Sequence, residues 1–108
     1  MAVEIWHNPR CSKSRQALAH LDARGLTPRI RLYLTDAPDA DEIRAMLAAL
    51  GLPAAALLRK DGAALASEPE AAIIAAMAAA PALIERPVIR HGARAVIGRP
   101  TEAIDSLF

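Results

Sequence analysis

The residue best suited to covalent chemistry is Cys11, the single cysteine in a chain of 108 residues. It follows the apolar segment Val3–Trp6, which predicts a short strand, and it precedes apolar residues at helical spacing, which predict a helix from Ser12 to Arg24. Free backbone N–H groups and the helix dipole favour a thiolate at a helix N-terminus, and the thiolate is the nucleophilic form of cysteine. We therefore expect the pKa of Cys11 to lie below that of a free cysteine. An inert, buried cysteine is the alternative.

The residues around Cys11 are cationic and polar. Arg10, Lys13 and Arg15 add positive charge to the same turn, which would further favour the thiolate. Ser14 stands where a C-x-x-C motif has its second cysteine, so Cys11 has no partner within the chain. Any covalent intermediate on Cys11 must then be released by an outside thiol, for which glutathione or a glutaredoxin is the natural candidate.

Composition argues against several classes of function. The chain has 13 basic and 12 acidic residues and a formal net charge of +1, so it lacks the excess of positive charge typical of a nucleic-acid-binding protein. The longest apolar run, Ala71–Ile84, is interrupted by Pro81 and is shorter than the roughly 20 residues that span a bilayer. No N-terminal targeting pattern is visible, and one cysteine forms no internal disulfide. We expect a cytoplasmic protein without a membrane partner.

The three histidines do not form a metal-ligand pattern with the cysteine. His7, His20 and His91 are scattered along the chain, whereas metal sites need several ligands at characteristic spacings. We expect no metal site, and we expect His20 and His91 to be solvated.

The middle of the chain predicts one strand and three helices. Arg29–Leu34 alternates between apolar and polar residues, which is typical of a strand with its apolar residues on one face. Asp39 or Asp41 begins a helix that ends at Gly51. Two further helices are predicted: Ala54–Arg59, ended by Lys60-Asp61-Gly62, and one that opens with Ser67 and Glu70 at capping-box spacing.

The last third predicts a β-hairpin and a helix. Pro87–Arg90 and Arg94–Ile97 read as strands around a His91-Gly92 turn, and a helix with Ile104 and Leu107 inward follows Pro100. A β-α-β unit implies parallel strands, and a hairpin implies antiparallel ones. The sequence therefore predicts one α/β domain over residues 1–108, with a thioredoxin-like, mixed four-stranded sheet and helices on both faces.

Several blocks of the sequence resemble the ArsC family of glutaredoxin-linked arsenate reductases, including its YfgD branch. The blocks occur in order along the chain and are residues 7–15, 32–34, 57–60, 85–89 and 97–100. In that family the cysteine attacks arsenic(V) and three arginines hold the oxyanion. By block matching, these residues are Cys11, Arg59, Arg86 and Arg99. Arginine suits the role because its planar guanidinium donates several hydrogen bonds and stays charged.

The resemblance also implies supporting roles. His7 and Asn8 would hold the active-site loop, Ser14 and Arg15 would be further supporting residues, and the Arg86–Pro87 bond would be cis beside the cysteine. Structural alternatives remain open for each residue. Arg59 would serve equally well at a helix C-terminus, and Arg86 and Arg99 as solvated charges. His7 would simply end a strand, and Asn8 would serve a turn.

Three functions follow from these expectations. The first is a cytoplasmic, monomeric arsenate reductase for arsenic resistance, which acts on arsenate or a similar oxyanion with glutathione as co-substrate and a glutaredoxin as partner, and which holds no bound cofactor. The second is a thiol oxidoreductase that acts on glutathione mixed disulfides and needs no arginines. The third is a regulator that binds RNA polymerase, as Spx-type proteins do, although Ser14 replaces the second cysteine of their C-x-x-C switch.

Overall fold

Four short strands form one mixed sheet in the computed structural model, which describes residues 2–108. The strands are β1 (Val3–Trp6), β2 (Arg29–Arg31), β3 (Val88–His91) and β4 (Arg94–Ile97). β1 lies between a parallel β2 and an antiparallel β3, and β4 pairs with β3 in the antiparallel sense. The predicted mixed four-stranded sheet is confirmed, and the two strands of the predicted hairpin lie within one residue of their expected bounds.

Three α-helices and four short 3₁₀ helices surround the sheet. The α-helices are α1 (Ser12–Ala23), α2 (Ala40–Leu50) and α3 (Glu70–Ala79). The 3₁₀ helices are Ala54–Leu57, Lys60–Leu65, Pro81–Leu83 and Thr101–Leu107. Within residues 2–108, each helix is too short or too polar to cross a membrane.

Helices cover both faces of the sheet because successive strand residues point to opposite sides. Val3 and Ile5 pack with α1 and the last 3₁₀ helix, whereas Trp6 packs with α2 and α3. The helical residues buried on the first face include Ala17, Leu21, Ile104 and Leu107; those on the second include Ile43, Met46, Ile73 and Met77. The prediction of helices on both faces is confirmed, as is the inward position of Ile104 and Leu107.

The start of α2 follows the sequence pattern closely. Asp39, not Asp41, caps the helix: its carboxylate accepts the Glu42 N–H at 2.8 Å, and the Glu42 carboxylate accepts the Asp39 N–H at 3.1 Å. This reciprocal pair satisfies two backbone donors that the helix leaves free. Gly51 ends α2 with a φ of 67°, a left-handed conformation that favours glycine.

The predicted capping box at α3 is wrong. Pro69 precedes the first helical residue, so Ser67 lies outside the helix and makes no cap. Glu70 is the first residue of α3, too early to serve as the third residue of a capping box. Its carboxylate instead accepts the backbone N–H of the buried Ala54 at 2.8 Å. Glu70 therefore ties the start of α3 to the first 3₁₀ helix.

The predicted strand Arg29–Leu34 is shorter than expected and buries the other face. β2 ends at Arg31, and the chain then turns at Leu32, whose carbonyl accepts the N–H of Asp36 at 2.8 Å. Tyr33 is buried in the core, whereas Ile30, Leu32 and Leu34 are all more than 40% exposed. The alternation failed as a guide because β2 is an edge strand and the turn after it, not strand pairing, decides which residue is buried.

The structure corrects two other helix predictions. The predicted helix Ala54–Arg59 is a shorter 3₁₀ helix, Ala54–Leu57. The segment Lys60-Asp61-Gly62, which was predicted to end a helix, instead begins a second 3₁₀ helix, Lys60–Leu65. The last helix, Thr101–Leu107, is also 3₁₀. Short 3₁₀ pieces of this kind are common as connectors.

His20 and His91 are partly buried and hydrogen-bonded, so the prediction that they are solvated is wrong. His20 Nε2 lies 2.7 Å from the Asp105 carboxylate, which joins α1 to the last 3₁₀ helix. His91 Nδ1 lies 2.9 Å from the carbonyl oxygen of Leu107. Both partners are distant in sequence, so no local pattern indicated them.

The contact between Glu70 and Ala54 makes a testable difference to stability. Glu70→Ala leaves a buried backbone donor without its partner, which typically costs about 1–3 kcal/mol. We expect the free energy of unfolding in urea to fall by about 1 kcal/mol or more. Ser67→Ala is the matched control and should change it by less than about 0.5 kcal/mol, as exposed substitutions usually do. A larger loss of unfolding free energy for Ser67→Ala than for Glu70→Ala would instead support the predicted capping box between these two residues.

Candidate active site

The turn between β1 and α1 places Cys11 at the N-terminus of α1. The Asn8 side chain accepts the Arg10 N–H at 3.0 Å, and the Asn8 carbonyl accepts the Cys11 N–H at 3.0 Å. The Cys11 carbonyl in turn accepts the Arg15 N–H at 3.0 Å, so Cys11 is the N-cap residue of α1. Asparagine favours such turns because its side chain mimics a backbone acceptor. Asn8 thus forms the loop that presents the sulfur.

His7 and Ser14 support this loop from the interior of the protein. Both side chains are buried, and His7 Nδ1 lies 2.6 Å from Ser14 Oγ. The same hydroxyl oxygen accepts the Asn8 N–H at 3.0 Å. Burial, and after it the charge of Arg15, lower the pKa of His7, which favours the neutral ring. The structure therefore places His7 and Ser14 in the support of the loop.

Arg15 contributes to the loop through a hydrogen bond. Its Nη1 donates to the carbonyl of Pro9 at 2.9 Å, across the turn that leads to Cys11. His7 also extends the pairing of β1 with β2, since its N–H donates to the Arg31 carbonyl at 2.9 Å. The loop is therefore fixed by side chains at one end and by the sheet at the other.

A close approach of two backbones brings Arg86 and Arg99 together. The Arg86–Pro87 bond is cis, as the resemblance predicted, and the Arg99–Pro100 bond is also cis. Gly98 donates its N–H to the Pro87 carbonyl at 2.9 Å, and a Cβ at Gly98 would lie only 2.9 Å from a side-chain carbon of Ile89. The same Cβ would lie 3.0 Å from Pro87, so the side chains of Ile89 and Pro87 would have to shift to admit a residue larger than glycine. Next to it, Arg99 Nε donates to the Arg86 carbonyl at 2.7 Å.

Arg59 reaches the same region through a short bridge between two loops. The Arg59 N–H donates to the Leu83 carbonyl at 2.9 Å, and the Glu85 N–H donates to the Leu57 carbonyl at 2.7 Å. These paired bonds place the segment around Arg59 directly beside the segment that leads into Arg86. No periodic pattern in the sequence indicates this bridge.

The structure brings all three predicted arginines to one cleft. Arg59, Arg86 and Arg99 line a cleft of about 360 Å³, together with Lys60 and Glu85. Arg99 Nη2 lies 3.7 Å from the Cys11 sulfur. Cys11 itself is partly exposed. A cleft of this size, with guanidinium groups at its wall and a sulfur beside it, suits a small oxyanion.

The surroundings of Cys11 favour the thiolate. Partial burial of the sulfur raises its pKa, but the backbone N–H groups of Ser14 and Lys13 and the positive charge of Arg86 together outweigh burial and lower the pKa of Cys11. The expected direction is confirmed. The main cation is Arg86, from a distant segment, rather than the neighbouring Arg10, Lys13 or Arg15 that the sequence indicated. Lys13 acts through its backbone N–H.

Lys60 lines the cleft but was not predicted as a site residue. Glu85, in the cleft, and Tyr33, beside it, were also missed from the sequence. Glu85 Oε1 lies 3.7 Å from Arg86 Nη1 and 3.6 Å from Arg99 Nε. Tyr33 is buried next to the cleft: burial raises the pKa of its hydroxyl, although the charges of Arg86 and Arg59 oppose the rise. Both residues lie inside blocks that resemble the ArsC family, so an acidic residue beside Arg86 was the available signal.

Two further observations describe the surroundings of the site. Among residues 2–108, no three histidine, cysteine or acidic side chains gather as a metal site requires. A second groove of about 340 Å³ runs along the loop before Cys11, where His7–Arg10 face Leu32 and Leu34. The loop that leads to the nucleophile therefore lines a more apolar groove, whereas the arginines line a separate cationic cleft.

The ionisation of Cys11 can be followed by its reactivity. The rate of alkylation by iodoacetamide should rise with pH along a curve whose midpoint, the pKa of Cys11, lies below that of a free cysteine. Arg86→Gln should move this midpoint upward because it removes a positive charge, whereas Arg94→Gln, on an exposed side chain, should leave it unchanged. A midpoint at or above that of a free thiol would contradict the assigned charge balance.

Comparison with known proteins identifies the family of this chain. Residues 6–107 match the model of the ArsC family. The chain is 36% identical to an arsenate reductase of Neisseria meningitidis serogroup A, over 98% of this chain and 97% of that protein. It is 40% identical to the uncharacterized protein YfgD of Escherichia coli K12, over 94% and 92%. A solved structure of an arsenate reductase from Vibrio cholerae superposes with a TM-score of 0.93 at 36% identity, covering 100% of this chain and 98% of that one. This chain belongs to the ArsC family.

Proposed function

We propose that this protein is an arsenate reductase with Cys11 as its nucleophile and Arg59, Arg86 and Arg99 as its oxyanion-binding residues. The observation that carries the proposal is the contact of 3.7 Å between Arg99 Nη2 and the Cys11 sulfur, in a cleft that the other two arginines also line. The relatives that are called arsenate reductases match nearly the full length of the chain, which favours this function over disulfide exchange or binding to RNA polymerase.

The first chemical step joins the sulfur to arsenic. The Cys11 thiolate attacks arsenic(V), an As–S bond forms, and one As–O bond breaks. The oxygen that leaves takes up protons and departs as water. The arginines hold the remaining oxygens and stabilise the charge that moves onto them, since preorganised donors are most effective where charge develops in the transition state.

A donor without a partner supports this role for Arg86. Its Nε is buried and makes no hydrogen bond to residues 2–108. Buried donors are nearly always paired, and the exceptions often belong to binding or catalytic sites. An oxyanion drawn into the cleft would supply acceptors to this guanidinium. Arg86 would then stabilise the thiolate when the site is empty and the oxyanion when the oxyanion is bound.

The second half of the reaction needs thiols from outside the chain. Glutathione attacks the Cys11 sulfur of the adduct, a disulfide bond forms, and the electron pair of the As–S bond stays with arsenic, which becomes trivalent. A glutaredoxin then reduces the mixed disulfide and restores Cys11. This route follows from the absence of a second cysteine in the sequence. It suits a monomer in the reducing cytoplasm, with glutathione as co-substrate and no bound cofactor.

The nucleophile is tested by Cys11→Ser. A serine hydroxyl is far less ionised than a thiol at neutral pH, so we expect no arsenite formation above background. The measurement is arsenate-dependent oxidation of NADPH in an assay coupled to glutathione, glutathione reductase and a glutaredoxin. Ser106→Ala, a substitution remote from the sulfur in sequence, should keep the wild-type rate. Substantial arsenite production by the Cys11→Ser protein would reject the mechanism.

The arginine cleft is tested by Arg99→Ala. Loss of one donor to a developing oxyanion typically lowers turnover about 10²–10³-fold, and we expect a loss of that order with arsenate. Exchange of Cys11 with a glutathione mixed disulfide, which needs no oxyanion site, should change by less than about threefold. Arg94→Ala is the matched control for loss of one positive charge on an exposed arginine. Equal losses in both reactions would favour disulfide exchange as the function.

A further inference from the structure

The cleft contains an acidic side chain among its cations. Glu85 Oε1 lies 3.6 Å from Arg99 Nε and 3.7 Å from Arg86 Nη1, and it accepts the backbone N–H of Arg86 at 3.1 Å. The Glu85 side chain is only 25% exposed. In the empty site, this carboxylate therefore lies close to two of the three arginines that would bind the substrate under the proposed function.

Other charges also face Glu85. Lys60 and Arg59 line the same cleft, and Asp61 lies 3.7 Å from Arg59 Nε. The charges of Glu85 and of the Cys11 sulfur both act on the hydroxyl of the buried Tyr33, as do those of Arg86 and Arg59. The carboxylate is therefore held by the arginines, and two further negative charges, Asp61 and the thiolate, lie near the same cations.

An oxyanion that enters the cleft must share the arginines with this carboxylate. The repulsion scales with the charge of the oxyanion. For charges about 5 Å apart in a water-like dielectric, it corresponds to roughly fourfold weaker binding of a monoanion and roughly fifteenfold weaker binding of a dianion. Partial burial would increase both factors and widen the difference between them.

We propose that Glu85 is an internal counter-ion that weakens the binding of doubly charged tetrahedral oxyanions more than that of singly charged ones. The inference rests on the proposed function to the extent that the arginine cleft is the oxyanion site. It extends that function by naming the substrate class: Glu85 shifts the preference of the cleft toward oxyanions with one net charge, such as dihydrogen arsenate, and away from dianions such as sulfate. The three arginines alone would act in the opposite direction, because their attraction also grows with the charge of the oxyanion.

The test uses two anions of the same shape and different fixed charge. Sulfate is a tetrahedral dianion and perchlorate a tetrahedral monoanion, and neither titrates near neutral pH. The affinity of each is measured, at constant ionic strength, from its effect on the rate of Cys11 alkylation by iodoacetamide. Glu85→Gln removes the charge and keeps an oxygen for the Arg86 N–H. Glu68→Gln makes the same charge change on an exposed side chain and is the control.

We expect Glu85→Gln to strengthen sulfate binding roughly fifteenfold and perchlorate binding only about fourfold, so that the ratio of the two affinities shifts by about fourfold. Glu68→Gln should leave the ratio unchanged. Glu85→Ala should shift the ratio in the same direction, which guards against a defect peculiar to glutamine. An equal gain for both anions, or no gain, would overturn the inference.

The two proposals fail in different ways. If the ratio does not shift but the wild-type protein reduces arsenate, the counter-ion role falls and the proposed function stands. If sulfate and perchlorate leave the alkylation rate of wild type and of both Glu85 variants unchanged, the cleft is not an anion site and the counter-ion role falls with it. If the ratio shifts as expected but arsenate is not reduced, the selectivity stands and only the reaction has been misassigned.

Discussion

The negative charge on the Cys11 sulfur is the constraint on which the site depends. Partial burial of the sulfur disfavours that charge. The groups that stabilise it come from two distant parts of the chain. One row of the sheet explains how they meet. Trp6 pairs with Val88, and Val88 pairs with Ile97. The turn to Cys11 follows β1, Arg86 lies just before β3, and Arg99 lies just after β4. All three loops therefore leave the same edge of the sheet.

This arrangement divides the work between local and long-range structure. The backbone N–H groups at the start of α1 come with the helix itself and need only a turn that ends at Cys11. The guanidinium of Arg86 arrives only when β1 and β3 have paired. A thiolate stabilised in this way is a property of the folded chain, because an unfolded chain keeps neither the helix dipole nor the arginine beside the sulfur.

The sequence predicted what depends on local signals. Glycine after α1 and at the end of α2, a capping aspartate at the start of α2, and proline between β1 and Cys11 are all set by neighbours within four residues. It failed where a contact crosses the fold. The true partner of Glu70 is the backbone of Ala54, and the burial of Tyr33 is decided by a turn after an edge strand. Neither contact leaves a periodic trace in the sequence.

The candidate site shows the same division. Cys11 could be identified from its place before a helix, and the three arginines from blocks that resemble the ArsC family. The role of Ser14 could not: at the place of a second cysteine it is fully buried and bonded to His7 and to the Asn8 N–H. The hydroxyl there stabilises the loop, and a dependence on outside thiols follows from the same substitution.

The balance of charge explains how a nearly neutral protein can hold an anion site. The formal net charge is only +1, so long-range attraction contributes little to binding. The selectivity must then arise within a few ångströms, where four cations face Glu85, Asp61 and the thiolate. With its charges so nearly matched, the empty cleft tolerates the crowding of three arginines. The same negative charges reduce the advantage that a doubly charged ligand would otherwise have over a singly charged one, because attraction and repulsion both grow in proportion to the charge of the ligand.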